Sequence, residues 1–300
     1  MRNIFTASSL LAALALAAPL AAQAQEPHCK HSAPRQLSLD LAGVKAVVFD
    51  IGPNDLKVEA TPGASAAVSG KACASAPERL DRLKLTQERV GDKLVVRAYR
   101  EDKLLGFSFG QNYAYQTLSA TLPDNLPVQL KVGSGDASVN GAAVLSADVG
   151  SGDVAARRIQ GLAAVSVGSG DIELHDVGKL HVISIGSGKV EAHAVRGAVT
   201  VGSIGSGDFD LTGAAGDVEI GSIGSGDADV RGVKGGVSIR SIGSGDANVR
   251  DVQGNVSVGS IGSGDIEAHN VAGGLTVRSV GSGSIRHNDV RGPIDTPKKR

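Results

Sequence analysis

From Gly133 onward, apolar residues recur at a spacing of two, interrupted by glycine at fixed intervals. In the stretch from Gly224 to Ile242 the apolar positions are Ala228, Val230, Val233, Val237, Ile239 and Ile242. Within each half this is the alternation of a strand with one buried face, and no helical three-to-four spacing is sustained. Gly235 separates the halves, and Gly224-Ser225-Gly226 closes the unit. The tripeptide Gly-Ser-Gly begins at Gly133, Gly150, Gly168, Gly186, Gly205, Gly224, Gly243, Gly262 and Gly281. Successive copies lie 17, 18 and 18 residues apart, then 19 residues apart five times. Such a period marks a repeat architecture, each unit burying its apolar face against the next.

The pattern predicts an all-β chain: a single-chain parallel β-solenoid of about nine coils of 17–19 residues, each coil two or three short strands joined at glycine corners. Nineteen extended residues reach about 60 Å, enough to wrap a narrow core once. Stacked at about 4.8 Å per coil, nine coils make a rod roughly 40 Å long. One predicted core ladder is Val199, Val218, Val237, Val256, Leu275 and Ile294; another is Ile204, Ile223, Ile242, Ile261 and Val280. Corner glycines at Gly197, Gly216, Gly235, Gly254, Gly273 and Gly292 are expected to supply positive φ. Parallel crossovers predict a right-handed coil.

Before the repeats, Leu37–Leu41, Lys45–Ile51, Leu56–Ala60, Leu83–Thr86, Leu94–Tyr99 and Tyr113–Leu122 read as strands, with turns at Gly52-Pro53-Asn54-Asp55 and Gly91-Asp92. The expected organisation is a signal peptide (1–24), an irregular β-rich N-terminal region capping the solenoid (25–132), the repeats (133–292) and a basic tail (293–300). In the last coil Ser284 replaces Asp, His287 replaces an apolar residue, and Pro293 and Pro297 interrupt the ladder. That end is expected to protect the sheet edge.

Composition sharpens this picture. Aromatics are 3% of the chain and Trp is absent, so the core must be thin and built from small or branched side chains. Seven of the eight aromatics precede the repeats, Phe209 being the exception, which places the bulkier packing in the N-terminal region. A net charge of −1 argues against a nucleic-acid partner, which calls for a basic excess. Arg2, the apolar run Ile4 to Leu20 and the small-x-small Ala22-Gln23-Ala24 predict a Sec-type signal peptide cleaved after Ala24. The mature chain is then periplasmic, secreted or at the cell surface, with no transmembrane segment. Export puts Cys29 and Cys73 in an oxidising compartment, where one structural disulfide is expected. Closing that loop contributes about 4 kcal/mol in the chain-entropy description.

The apolar strand Lys45 to Ile51 leads into Leu56-Lys57-Val58-Glu59; Leu118 to Pro123 and Val128 to Val132 follow, and then the Gly-Ser-Gly-Asp coils. From about residue 40 to 292 this order is similar to the bacterial putative-adhesin family, exported proteins with a repeated Ser-Gly-Asp β-solenoid. The resemblance implies an envelope or secreted β-repeat protein and carries over no catalytic residue.

Two polar columns are the candidate sites. Asp136, Asp153, Asp171, Asp208, Asp227, Asp246 and Asp265 follow the tripeptide. They resemble the calcium rows of nonapeptide solenoids, which present such a motif every nine residues. With one per coil, the favoured reading is a structural turn column, each carboxylate accepting N–H bonds at its own corner, and no metal site is assigned. Lys189 takes the Asp position in the fourth coil and is expected to relieve repulsion between Asp171 and Asp208. The second column comprises Arg157, His175, His193, Arg231, Arg250 and His269, with Asn140, Thr212 and Asn288 in equivalent positions. It is a possible polyanion-facing surface for an acidic glycan or phosphate groups. Gly106-Phe107-Ser108-Phe109-Gly110 matches the hydrolase GxSxG pattern without the helix that motif requires.

No catalytic or cofactor-binding residue is assigned. The sequence reads as an exported, non-enzymatic β-solenoid with a structural or adhesive role at the bacterial envelope, its partner an envelope glycan or surface protein. The alternatives are an acidic-polysaccharide-binding or -cleaving β-helix and a periplasmic envelope-stress partner.

Overall fold

The computed structural model describes residues 29–101 and 112–297. The predicted signal peptide and cleavage site, the Gly106–Gly110 motif and Lys298-Lys299-Arg300 lie outside the described residues.

Chain order begins with β1 (His31–Ser38), β2 (Ala46–Gly52), β3 (Asp55–Ala60), β4 (Ala67–Ala74), α1 (Pro77–Leu80), β5 (Leu83–Val90), β6 (Lys93–Arg100) and β7 (Ala114–Leu122). It continues through β8 (Pro127–Val132), β9 (Ala137–Asn140), β10 (Val144–Val149) and two long strands, β11 (Val154–Val167) and β12 (Asp171–Ile185), each of which serves both sides of a coil. Next are β13 (Lys189–Val195), β14 (Val199–Ile204), β15 (Asp208–Ala214), β16 (Val218–Ile223), β17 (Ala228–Val233) and β18 (Val237–Ile242). The chain ends with β19 (Ala247–Val252), β20 (Val256–Ile261), β21 (Asp265–Val271), β22 (Leu275–Val280), β23 (Ser284–Val290) and β24 (Ile294–Asp295).

The strands stack as a parallel β-solenoid of about nine turns. Residues 19 apart are direct neighbours in its regular part: Val218 pairs with Val237, and Val237 with Val256. Two ladders run the length of the rod. One continues from β8 and β10 through β14, β16, β18, β20 and β22; the other continues from β9 through β13, β15, β17, β19, β21 and β23. The six apolar positions read from the stretch 224–242 all face inward and are at most 2% exposed.

The N-terminal region, irregular in sequence, enters the same ladders. β2 is parallel to β6 on one side and β8 on the other; β3 lies likewise between β7 and β9. A coil made early in the chain is therefore sandwiched between coils made later. Antiparallel strands finish this end, β5 on β6 and β4 on β7, with β1 added to β4. Cys29 and Cys73 are joined in a disulfide that ties the start of the described chain to β4.

Four sequence expectations change. The first strand is His31–Ser38, where Leu37–Leu41 was expected, and β4 carries too little large apolar content to be recognised. Among the described aromatics only Phe49 and Phe209 are fully buried; Tyr99 is exposed, so bulky packing is not concentrated at the N-terminal end. Ile294 keeps its place in the predicted ladder, paired with Leu275, but is 44% exposed where core burial was expected, because no coil stacks beyond it among the described residues. Finally, none of the six corner glycines has positive φ. They are glycine for space: a Cβ on Gly254 would lie 2.7 Å from the backbone of Gly235 in the preceding coil.

Candidate functional site: the charged ladders

Alternate residues of a strand share a face, so the outward positions of β13, β15, β17, β19 and β21 build three parallel columns. The first is the Asp column. Each carboxylate accepts a backbone N–H from the following coil: Asp153 donates to Asp136 Oδ1 at 3.1 Å, Asp171 to Asp153 at 3.0 Å, and Lys189 to Asp171 at 3.1 Å. The pattern resumes with Asp227 on Asp208, Asp246 on Asp227, Asp265 on Asp246 and Ser284 on Asp265. These are clips between coils, 17–19 residues apart in sequence, whereas the sequence suggested bonds within each corner. One clip is missing: Asp208 N–H meets the Gly188 carbonyl, because Lys189 offers no carboxylate.

The second column, two residues on, was not singled out from sequence. It is acidic: Glu173, Glu191, Asp210, Asp229 and Glu267 stand in register, with Asn248 among them. The third is the predicted basic column, in which Arg157, His175, His193, Thr212, Arg231, Arg250 and His269 are consecutive partners along the ladder.

The two charged columns answer one another. His175 Nε2 lies 2.6 Å from Glu173 Oε1, His193 Nε2 2.9 Å from Glu191 Oε1, and His269 Nε2 2.8 Å from Glu267 Oε1. The rings of His175 and His193 stack with centroids 4.6 Å apart. The His193 bond holds the Glu191 carboxyl below its ordinary range, and His269 does the same for Glu267. Lys189 reaches across to Asp210 Oδ2 at 2.6 Å and Glu191 Oε2 at 3.5 Å. It thus neutralises the acidic column rather than Asp171 and Asp208, and the Asp210 bond raises its ammonium above the usual lysine value. Asp229 is pushed upward, first by desolvation and then by the charge of Asp210, against the pull of Arg250 and Arg231.

At the turn after the basic column, a residue in the left-handed region recurs in every coil: Gly141, Arg158, Asp176, Ala194, Gly213, Gly232, Asp251, Asn270 and Asp289, with φ between 50° and 88°. Their Gly, Asp and Asn content is the signal that could have marked the position. Asn54 is a further residue whose role is visible only in three dimensions. Buried at the first corner, it donates to the carbonyls of Ile51 and Ala98 and accepts from Gln116 N–H at 2.8 Å, joining three strand segments.

The family model Toastrack DUF4097 matches residues 47–289. Solved structures similar to this chain include one described as a putative lipid binding protein from Parabacteroides distasonis, 17% identical, covering 86% of this chain and 97% of its own, with a TM-score of 0.46. A putative adhesin from Parabacteroides merdae is 14% identical over 86% of this chain and 97% of its own, with a TM-score of 0.38. One from Bacteroides fragilis is 15% identical over 86% and 98%, with a TM-score of 0.33. None of the curated proteins matches the chain.

Proposed function

The chain belongs to the Toastrack DUF4097 family, and from that premise we propose that it is an exported, non-enzymatic β-solenoid with a structural or adhesive role at the bacterial envelope. The observation that carries this reading is the disposition of its polar groups. Among the described residues the buried polar side chains are Asn54 and Gln116, and neither titrates. Acid–base chemistry is served by ionisable groups in clefts, shifted by burial. Among the described residues one carboxyl, Asp229, is raised by desolvation, while Asp210, Glu191 and the Asp column are engaged in clips and charge pairs that hold coil to coil. No helix among the described residues is long and apolar enough to cross a membrane.

In the predicted polyanion-facing column each histidine and Arg157 has a carboxylate partner, which ties that part of the column into the charge ladder. Fractionation of cells expressing the full chain tests the proposal, followed by pull-down of envelope material. The expected product starts at Gln25, lies outside the cytoplasm and retains envelope glycan or surface protein. A chain beginning at Met1 and confined to the cytoplasm would overturn it.

A further inference from the structure

The ladder on the other side of the coils presents a different surface. Along it one outward column consists of the bulge residues Gly202, Gly221, Arg240, Gly259 and Arg278. Glycine is the structural default there: a Cβ on Gly202, Gly221 or Gly259 would come within 2.2–2.4 Å of a carbonyl in the preceding coil. Ile183, before Gly202, departs from this with an apolar side chain, and Arg240 and Arg278 depart from it with charge. Both arginines are exposed, and among the described residues neither guanidinium has a hydrogen bond or an ion pair. On the opposite face Arg157, Lys189 and Arg286 are paired with carboxylates, and Arg250 and Arg231 stand close enough to Asp229 to lower its pKa.

The two guanidinium stems stand two coils apart, about 10 Å at the usual strand spacing, with side-chain-free Gly259 between them. They border a groove of about 620 Å³ that contains no carboxylate among its lining residues. Its floor carries the hydroxyls of Ser238, Ser257 and Thr276, in register on successive coils. The column of hydroxyls is bounded by acids: Glu219 precedes Ser238, and Asp295 follows Thr276. The positive window is therefore three coils long. Guanidinium groups recognise carboxylates and sulfates through paired N–H donors, and a row of hydroxyls serves as both donor and acceptor for sugar hydroxyls.

We propose that this groove is a binding site for an acidic polysaccharide, Arg240 and Arg278 taking anionic groups on alternate sugars of one chain, about 10 Å apart, with Ser238, Ser257 and Thr276 bonding the sugar between. The inference deepens the envelope reading by naming a ligand class. It rests on that reading only for where the ligand is met, so a binding measurement on purified protein fails or succeeds independently of localisation.

The test is calorimetric titration of the purified mature chain with oligogalacturonate, with neutral malto-oligosaccharide and inorganic phosphate as separate arms. Saturable, salt-sensitive binding of the acidic oligomer is expected, with at least tenfold weaker binding in the double variant Arg240→Ala/Arg278→Ala. Lys71→Ala, an exposed cation on β4 outside the charged columns, should bind as the unchanged protein does. These are exposed side chains, and unchanged melting midpoints verify folding. No saturable binding of oligogalacturonate, equal binding by the double variant, or equally tight binding of the neutral oligomer or of phosphate overturns the proposal.

Discussion

At the scale of single residues, the backbone sets requirements that side-chain chemistry meets unevenly. The left-handed turn position holds glycine in Gly141, Gly213 and Gly232 and Asp or Asn in four other coils, but arginine in Arg158 and alanine in Ala194. Alanine has no side-chain oxygen to offset the left-handed conformation, which costs about 1–2 kcal/mol for an L-residue. Glycine removes that strain and gives back about 0.5–1 kcal/mol through its freer unfolded chain. Ala194→Gly should therefore stabilise by about 0.5–1 kcal/mol, read as a rise of about 2 °C in the thermal midpoint. Gly226→Ala should do the reverse and severely, because its Cβ would sit 1.8 Å from the Gly207 carbonyl oxygen. A midpoint unchanged in both variants would contradict the assigned turn geometry.

The clips give a pH prediction at the same scale. The Ser284 N–H holds the Asp265 carboxyl below its ordinary value, with Arg286 adding to the effect. A depressed folded-state pKa means stability that is present above the unfolded-state value of about 3.9 and is lost as pH falls through the lower folded-state value. Asp265→Ala should accordingly melt below the unchanged protein at pH 7. The gap should close on acidification through the aspartate range. A gap that persists unchanged at strongly acid pH would show that the carboxylate charge is not what the clip uses.

At the scale of strands, the alternation of inward and outward positions governs what a substitution does. Val237 is 1% exposed in the middle of an apolar ladder, while Arg231 points outward. Val237→Asp buries a charge with no partner and should cost several kcal/mol. Arg231→Ala should shift stability by less than about 0.5 kcal/mol. Comparable losses in chemical denaturation would refute the assignment of faces. This level was the most legible in the sequence, because Val218, Val237 and Val256 repeat at a constant interval and a parallel ladder preserves that interval. Legibility ended where the interval did. β4 is a string of small residues around Gly70, and its place between β1 and β7 is fixed by antiparallel pairing that leaves no period. The acidic column was equally present in the letters, yet its meaning depends on Glu191 meeting His193 along one strand and Lys189 meeting Asp210 across coils.

At the scale of the whole molecule, the solenoid is a row of equivalent corners, and a ligand that suited one would suit all of them. That makes calcium a sensitive probe of what the Asp column does. A cation row needs carboxylate oxygens from successive coils aimed at a shared point between them. Here Oδ1 of Asp136, Asp153, Asp171, Asp208, Asp227, Asp246 and Asp265 accepts an N–H from the next coil, so the column is already engaged as a seam. The seam is also interrupted at Lys189, whose ammonium turns aside to Asp210 and leaves Asp208 N–H on a carbonyl. With Oδ1 held by an N–H, a metal is left only the second oxygen of each carboxylate, and binding that favours neither state shifts no melting midpoint. Millimolar calcium should thus leave the thermal midpoint of the mature chain unchanged, and Lys189→Asp should not create a calcium response, since its new carboxylate would take the Asp208 N–H over from the Gly188 carbonyl. A rise of many degrees with calcium, reversed by chelator, would instead make the column an ion row and the clips a secondary feature of it.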